Sequence, residues 1–186
     1  MISKVPNSSF CTFLNSGGTR TFLHGRTEVI RSCSIEATEF SRLMVSKDVS
    51  LKVKQDALKN AIAAHNSYAK AAVGGLGVDR HLQGLKMAAV NLGVDIPALY
   101  NDPGYTRSSR MRLSTSQISS KHGGFACYGP LQMDGYGCCY SIGQNLLSFA
   151  VSAMNSNAET NAIDFASTLH ESLEDLHDLC VAKSKL

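Results

Sequence analysis

Three hydroxyls and an amide follow one another at Ser114, Thr115, Ser116 and Gln117, inside the run RLSTSQISS. In an extended strand the side chains alternate faces, so Ser114 and Ser116 share one side and Thr115 takes the other. Two hydroxyls on one face can aim donors at a single ligand; the same pattern also suits a wet edge strand. Two other segments hold more polar order than packing needs. HGRTEVIRS, at 24–32, sets Arg26, Thr27 and Arg31 close together, and VDRHLQGLK, at 78–86, puts Arg80 into an otherwise apolar helical pattern. A guanidinium beside hydroxyls suits a carboxylate, because its planar fork donates two parallel N–H bonds to the two oxygens. A structural ion pair with one of the 15 acidic residues would use each arginine equally well.

Periodicity and punctuation outline the elements that must carry these groups. Leu51, Leu58, Ile62 and Tyr68 recur at near-helical intervals, which predicts a helix from Ser50 to Ala72 stopped by Gly74 and Gly75. A second helix is expected from Val78 to Leu92, ended by Gly93, and Asn101, Pro103 and Gly104 mark a loop before the hydroxyl strand. MDGYGCCYSI and NLLSFAVSAM read as a hairpin turning near Gly143. Ser156 and Glu159 have the spacing of a capping box for a last helix, with Phe165, Leu169, Leu173, Leu176 and Cys180 as its apolar stripe and acidic residues on its other faces. His170 and His177 share that helix, but without a third ligand they make no metal site. The expected class is α/β, with helices packed on a mixed sheet.

Composition narrows the function. Apolar residues make up 44% and charged residues 18%, ordinary for a globular chain. A net charge of +3 with scattered basic residues argues against nucleic acid as a partner. No apolar run is long enough for a membrane span, and MISKVPNSSF lacks the apolar core of a secretory signal. The six cysteines show no C-x-x-C pair, so reduced and mostly buried thiols are expected. The chain ends in Ser184, Lys185 and Leu186, the form of address read by the peroxisomal import receptor.

In order and spacing, HGRTEVIRSCS, DRHLQGLK, LSTSQ, YGPLQMDGYGCCY and NAETNA resemble the C-terminal part of the choline/carnitine O-acyltransferases. The resemblance runs from about Ser16 to the last helix and divides the chain into a divergent or alternative start at 1–15, an acyltransferase portion at 16–181 and a targeting tail at 182–186. It implies the C-terminal part of the two-domain fold of coenzyme-A-dependent acyltransferases, with the active site between the domains. The implied activity is reversible acyl transfer between acyl-CoA and carnitine, with coenzyme A as co-substrate and no permanently bound cofactor. By the same resemblance, Ser116 stabilises the oxyanion, Ser16, Thr27, Arg80, Ser114 and Tyr128 contact carnitine, and Gln117 contacts coenzyme A. Carnitine is favoured over choline because the choline branch typically lacks the threonine of GRT and has asparagine for the arginine of DRH, whereas Thr27 and Arg80 are present here.

The chain also departs from the family pattern. Leu14 stands where the family has a carnitine-contacting tyrosine, two residues before Ser16. Ala126, two before Tyr128, replaces the methionine that closes the acyl tunnel of acetyl-specific enzymes, which implies tolerance of acyl groups longer than acetyl. The general base of the family is a histidine in an H-x-x-x-D-G segment, and none of the six histidines, at 24, 65, 81, 122, 170 and 177, is followed by it. The expectation is a fragment whose missing half holds the base and most of the coenzyme A site, inactive alone. The alternative is a non-catalytic binding or interaction module delivered to peroxisomes.

Overall fold

Local chemistry sets most of the helix boundaries. The computed structural model describes residues 13–118 and 126–182, apart from the side chains of residues 13 and 14. Ser34 accepts from the backbone N–H of Ala37 and starts α1 (Ile35–Val45), a helix the periodicity did not reveal. Ser50 caps α2 (Leu51–Ala71) in the same way through Val53. α2 then loosens into a wide turn over Ala72–Leu76, where Gly75 takes a φ of 83°. That left-handed backbone favours glycine, and α3 (Val78–Leu92) follows directly. Its end is fixed by Gly93 at φ 64°, a left-handed cap whose N–H returns to the carbonyls of the last turn.

The segment NDPGY is not a loop. Asp102 accepts from Gly104 N and Tyr105 N, and Pro103 sits in the first turn, so together they open α4 (Pro103–Ser109) after a short 3-10 turn at Ala98–Asn101. Turn-forming residues and helix-starting residues overlap in type, which is why punctuation alone misleads here. The last helix is likewise capped by Asn161 rather than by Ser156 and Glu159, and α5 spans Ala162–Val181. Its buried anchor near the end is Leu179, 5% exposed, whereas Cys180 is exposed.

Among the described residues, five strands form one mixed sheet in the order β2-β1-β3-β4-β5. They are β1 (Phe13–Gly18), β2 (Thr27–Ile30), β3 (Leu113–Gln117), β4 (Tyr136–Ile142) and β5 (Leu147–Ala153). β3 runs parallel to both neighbours, while the outer pairs β1–β2 and β4–β5 are antiparallel. The hydroxyl strand is therefore the centre of the sheet and not a wet edge. One face carries Asn15, Gly17, Thr115, Tyr136 and Cys138 and receives the helices. Tyr136 meets Phe165 of α5 with ring centroids 4.6 Å apart, and a Cβ on Gly17 would stand 3.2 Å from Val73.

The core is small-grained: Val29, Ile30, Ala72, Ala89, Met111, Leu113, Cys138 and Cys139 are among its buried members. α1 and α2 bury no residue fully, and α3 buries only Ala89. Among the described cysteines only Cys138 and Cys139 are buried; Cys33, Cys127 and Cys180 are exposed, contrary to the expectation of mostly buried thiols. No described helix is long and apolar enough to cross a membrane.

Candidate active site

The opposite face of the sheet gathers the hydroxyls. Ser114 pairs with Gly137 and Ser116 with Cys139, and these continue to Ser152 and Ala150 on β5. On the other side, Ser16 faces Val29 and Gly18 faces Thr27. The parallel register of β1 and β3 runs through Asn15 and Thr115; one residue further along it, Ser16 comes alongside Ser116. Paired residues point to the same side of a pleated sheet, so Ser16, Thr27, Ser114 and Ser116 share one face. Ser114 is 7% exposed, Ser116 is half-buried, and Ser16 and Thr27 are exposed. Strand spacing and rise put Thr27 and Ser116 about 12 Å apart at their Cα atoms.

Tyr128 closes one side of this face. Its hydroxyl lies 3.1 Å from both the Ser114 and the Cys138 carbonyl oxygens, to which it donates, and Ser152 Oγ donates back to its own carbonyl at 2.6 Å. A Cβ on Gly137 would stand 2.6 Å from the Tyr128 carbonyl oxygen, so glycine is what lets this segment cross the sheet. Burial pushes the Tyr128 phenol up to about 12, outweighing the hydrogen bond to Ser114. The phenol proton is thus held on backbone carbonyls. Ala126 and Gln117 are both exposed.

Arg80 approaches from the first turn of α3. Its Nε donates to the Thr27 carbonyl oxygen at 3.0 Å and its Nη1 to Gln83 Oε1 at 3.0 Å. Among the described residues no carboxylate pairs with its guanidinium, and the head is exposed. A fixed cation beside Thr27, on the edge of a hydroxyl-bearing face, can receive a carboxylate while the serines reach a second oxygen of the same ligand. Arg31 has the structural role instead. Its Nη2 and Nε hold Asp79 at 2.6 and 2.9 Å, and its Nη1 donates to the Ser108 carbonyl at 3.0 Å. The hydrogen bond to Asp79 raises its pKa against the opposing effect of burial.

Sequence reasoning passed over Glu28 and Asp79. Glu28 is 4% exposed, and its carboxylate accepts from Val29 N at 2.7 Å and from Arg80 N at 3.3 Å. The signal was a lone acid inside the apolar strand TEVI. No described histidine hydrogen-bonds to Ser114 or Ser116; His170 and His177 lie on α5, against Glu174 and Asp178. His122 and the terminal Ser184, Lys185 and Leu186 lie outside the described residues.

The family model described as Choline/Carnitine o-acyltransferase matches residues 7–171. Carnitine O-acetyltransferase of Columba livia is 42% identical over 178 residues, 95% of this chain and 28% of that protein. The Mus musculus carnitine O-acetyltransferase is 38% identical over 91% of this chain and 27% of its own length. Choline O-acetyltransferase of Homo sapiens is 35% identical over 89% of this chain and 22% of its own length. The chain thus spans about a quarter of the length of the relatives it matches. With its hydroxyl face, the matched region and these relatives agreeing, the chain belongs to the choline/carnitine O-acyltransferase family.

Proposed function

We propose that the chain carries the alcohol-binding and oxyanion side of a carnitine O-acyltransferase. Arg80 and Thr27 receive the carnitine carboxylate, with Ser16, Ser114 and Tyr128 lining the same site. The carnitine hydroxyl, deprotonated by a base supplied from outside this chain, attacks the thioester carbonyl of acyl-CoA. Ser116 Oγ–H donates to the oxyanion that forms, the C–S bond breaks, and the thiolate leaves as coenzyme A. A donor placed at such an oxyanion is worth roughly 10²–10³ in rate. Gln117 touches coenzyme A, and Ala126 leaves room for acyl chains longer than acetyl.

One observation supports this reading above the others: the Arg80 head, free of any described acidic partner, is tied to the carbonyl of Thr27, whose side chain shares a sheet face with Ser114 and Ser116 by register. Carnitine has a carboxylate for that cation and choline has none. Incompleteness is supported by exposed apolar side chains on α3 and just after it, including Leu85, Met87, Val90, Leu92 and Val94, which further protein would cover. Delivery to peroxisomes by Ser184, Lys185 and Leu186 belongs to the same proposal; removing Leu186 from a fluorescent fusion should abolish it.

The test has two arms. The purified 186-residue chain, given acetyl-CoA or octanoyl-CoA and carnitine, should release no thiol. The full chain grafted in place of the matching segment of the Columba livia carnitine O-acetyltransferase should release thiol in a carnitine-dependent manner. Turnover by the chain alone would overturn the incomplete site; a well-folded graft with no turnover would favour the non-catalytic module.

A further inference from the structure

Arg80 does not hold itself. Its backbone N–H lies 3.3 Å from both oxygens of Glu28, and the adjoining Asp79 is gripped by Arg31. The start of α3 has no side-chain cap of its own, because Gly77 is the residue at its cap position. Glu28 reaches over from β2 to take that place, with a negative charge at the positive end of the helix dipole. The fit is close: a Cβ on Gly77 would stand 2.7 Å from Glu28 Oε2 and nearer still to its Cγ. Tyr68 of α2 backs the same cluster, its buried hydroxyl near enough to feel Asp79, Arg31 and Glu28.

We propose that Glu28 and Arg31 are positioning residues that aim the Arg80 guanidinium at the substrate carboxylate, Glu28 through the Arg80 backbone N–H and Arg31 through Asp79. The two anchors act on different atoms of consecutive residues, so together they fix both where the first turn of α3 sits on β2 and how it is rotated. With that turn fixed, the Nε–H bond to the Thr27 carbonyl and the Nη1 bond to Gln83 hold the guanidinium and leave its Nη2 for a ligand. Loss of either anchor frees the turn to shift, and the fork loses its alignment without losing its charge. The effect falls on binding of the carboxylate-bearing alcohol, not on the acyl donor or on the oxyanion. This inference rests on the carnitine site proposed above.

The grafted enzyme separates the two claims. Kinetics in carnitine and in acyl-CoA are compared for wild type, Arg80→Ala, Glu28→Gln, Arg31→Lys and the pairwise variants with Arg80→Ala. Glu28→Gln and Arg31→Lys should each raise KM for carnitine about tenfold, the size of a coupling near 1.4 kcal/mol. Both kcat and KM for acyl-CoA should stay within about twofold of wild type, and neither change should add anything to Arg80→Ala. If Arg80→Ala leaves KM for carnitine unchanged, the carnitine site itself is wrong, and the positioning role goes with it. If Arg80→Ala raises KM while Glu28→Gln and Arg31→Lys do not, or their effects add fully to it, only the positioning role is overturned. Should Glu28→Gln fail to fold, Arg31→Lys and its double variant decide the question alone.

Discussion

Arg80 is tied to Thr27 by a 3.0 Å hydrogen bond from its Nε to the Thr27 carbonyl oxygen. A bond between residues 53 positions apart brings the first turn of α3 onto the outer strand of the sheet whose central strand holds Ser114 and Ser116. The cation is thereby tied to the strand whose Thr27 side chain shares a sheet face with Ser114 and Ser116, although each comes from a separate stretch of sequence.

Ser116→Ala removes the oxyanion donor and leaves the strand otherwise intact, because a half-buried serine loses only its hydroxyl. In the grafted enzyme kcat should fall roughly 10²–10³-fold with little change in KM for carnitine. A drop below tenfold would remove Ser116 from that role.

Ala126→Met tests the acyl pocket. The wild-type graft should accept octanoyl-CoA nearly as well as acetyl-CoA, and the methionine should suppress octanoyl transfer by at least about tenfold while sparing acetyl transfer, since extra methylenes of the acyl chain lose their space. A wild-type profile that already collapses beyond propionyl would contradict the pocket.

Gly77→Ala should destabilise the fold by about 1–3 kcal/mol, the usual cost of forcing extra atoms into a filled site. The backbone at Gly77, with φ −72° and ψ 147°, suits alanine well; the obstacle is the buried Glu28 side chain. Urea denaturation of the complete chain checks it. Adding Glu28→Ala to Gly77→Ala should recover part of the loss from the steric contact, and a fully additive pair would show that the contact is not the cause.

The Tyr128 phenol, raised to about 12 by burial, links stability to alkaline pH. A folded-state value above the unfolded one near 10 means its contribution is complete below pH 10 and disappears as pH climbs from about 10 to 12. Tyr128→Phe loses the two carbonyl contacts and should cost about 1 kcal/mol at neutral pH. The gap between wild type and this variant should shrink across that alkaline window; a gap that widens there would reverse the assignment.

The sequence spoke most clearly where a feature is local. Ser50 and Gly93 bracket α2 and α3 because a serine cap and a left-handed glycine act within one turn, and Gly143 turns the β4–β5 hairpin between adjacent strands. The residues of the candidate site were legible through family resemblance, and the sheet then puts Ser16, Thr27, Ser114 and Ser116 on one face. What stayed hidden was non-local. The central place of β3 depends on parallel partners far along the chain, and Glu28 acquires its role only from a helix 52 residues away. Asp102 and Asn161 were missed as caps because the same residue types also serve turns. The shift from Cys180 to Leu179 in α5 reflects a helical stripe that can drift by one position without changing its apparent period.

The most direct test of the electrostatic claim is the ratio of kcat/KM for carnitine to that for choline, measured on the grafted enzyme with and without Arg80→Asn. Removing a charged partner from a carboxylate should lower the carnitine value by roughly 10–100-fold and leave choline unchanged or improved, so the ratio collapses. A ratio that survives the substitution would mean that the carboxylate is held elsewhere and that Arg80 is not part of the site.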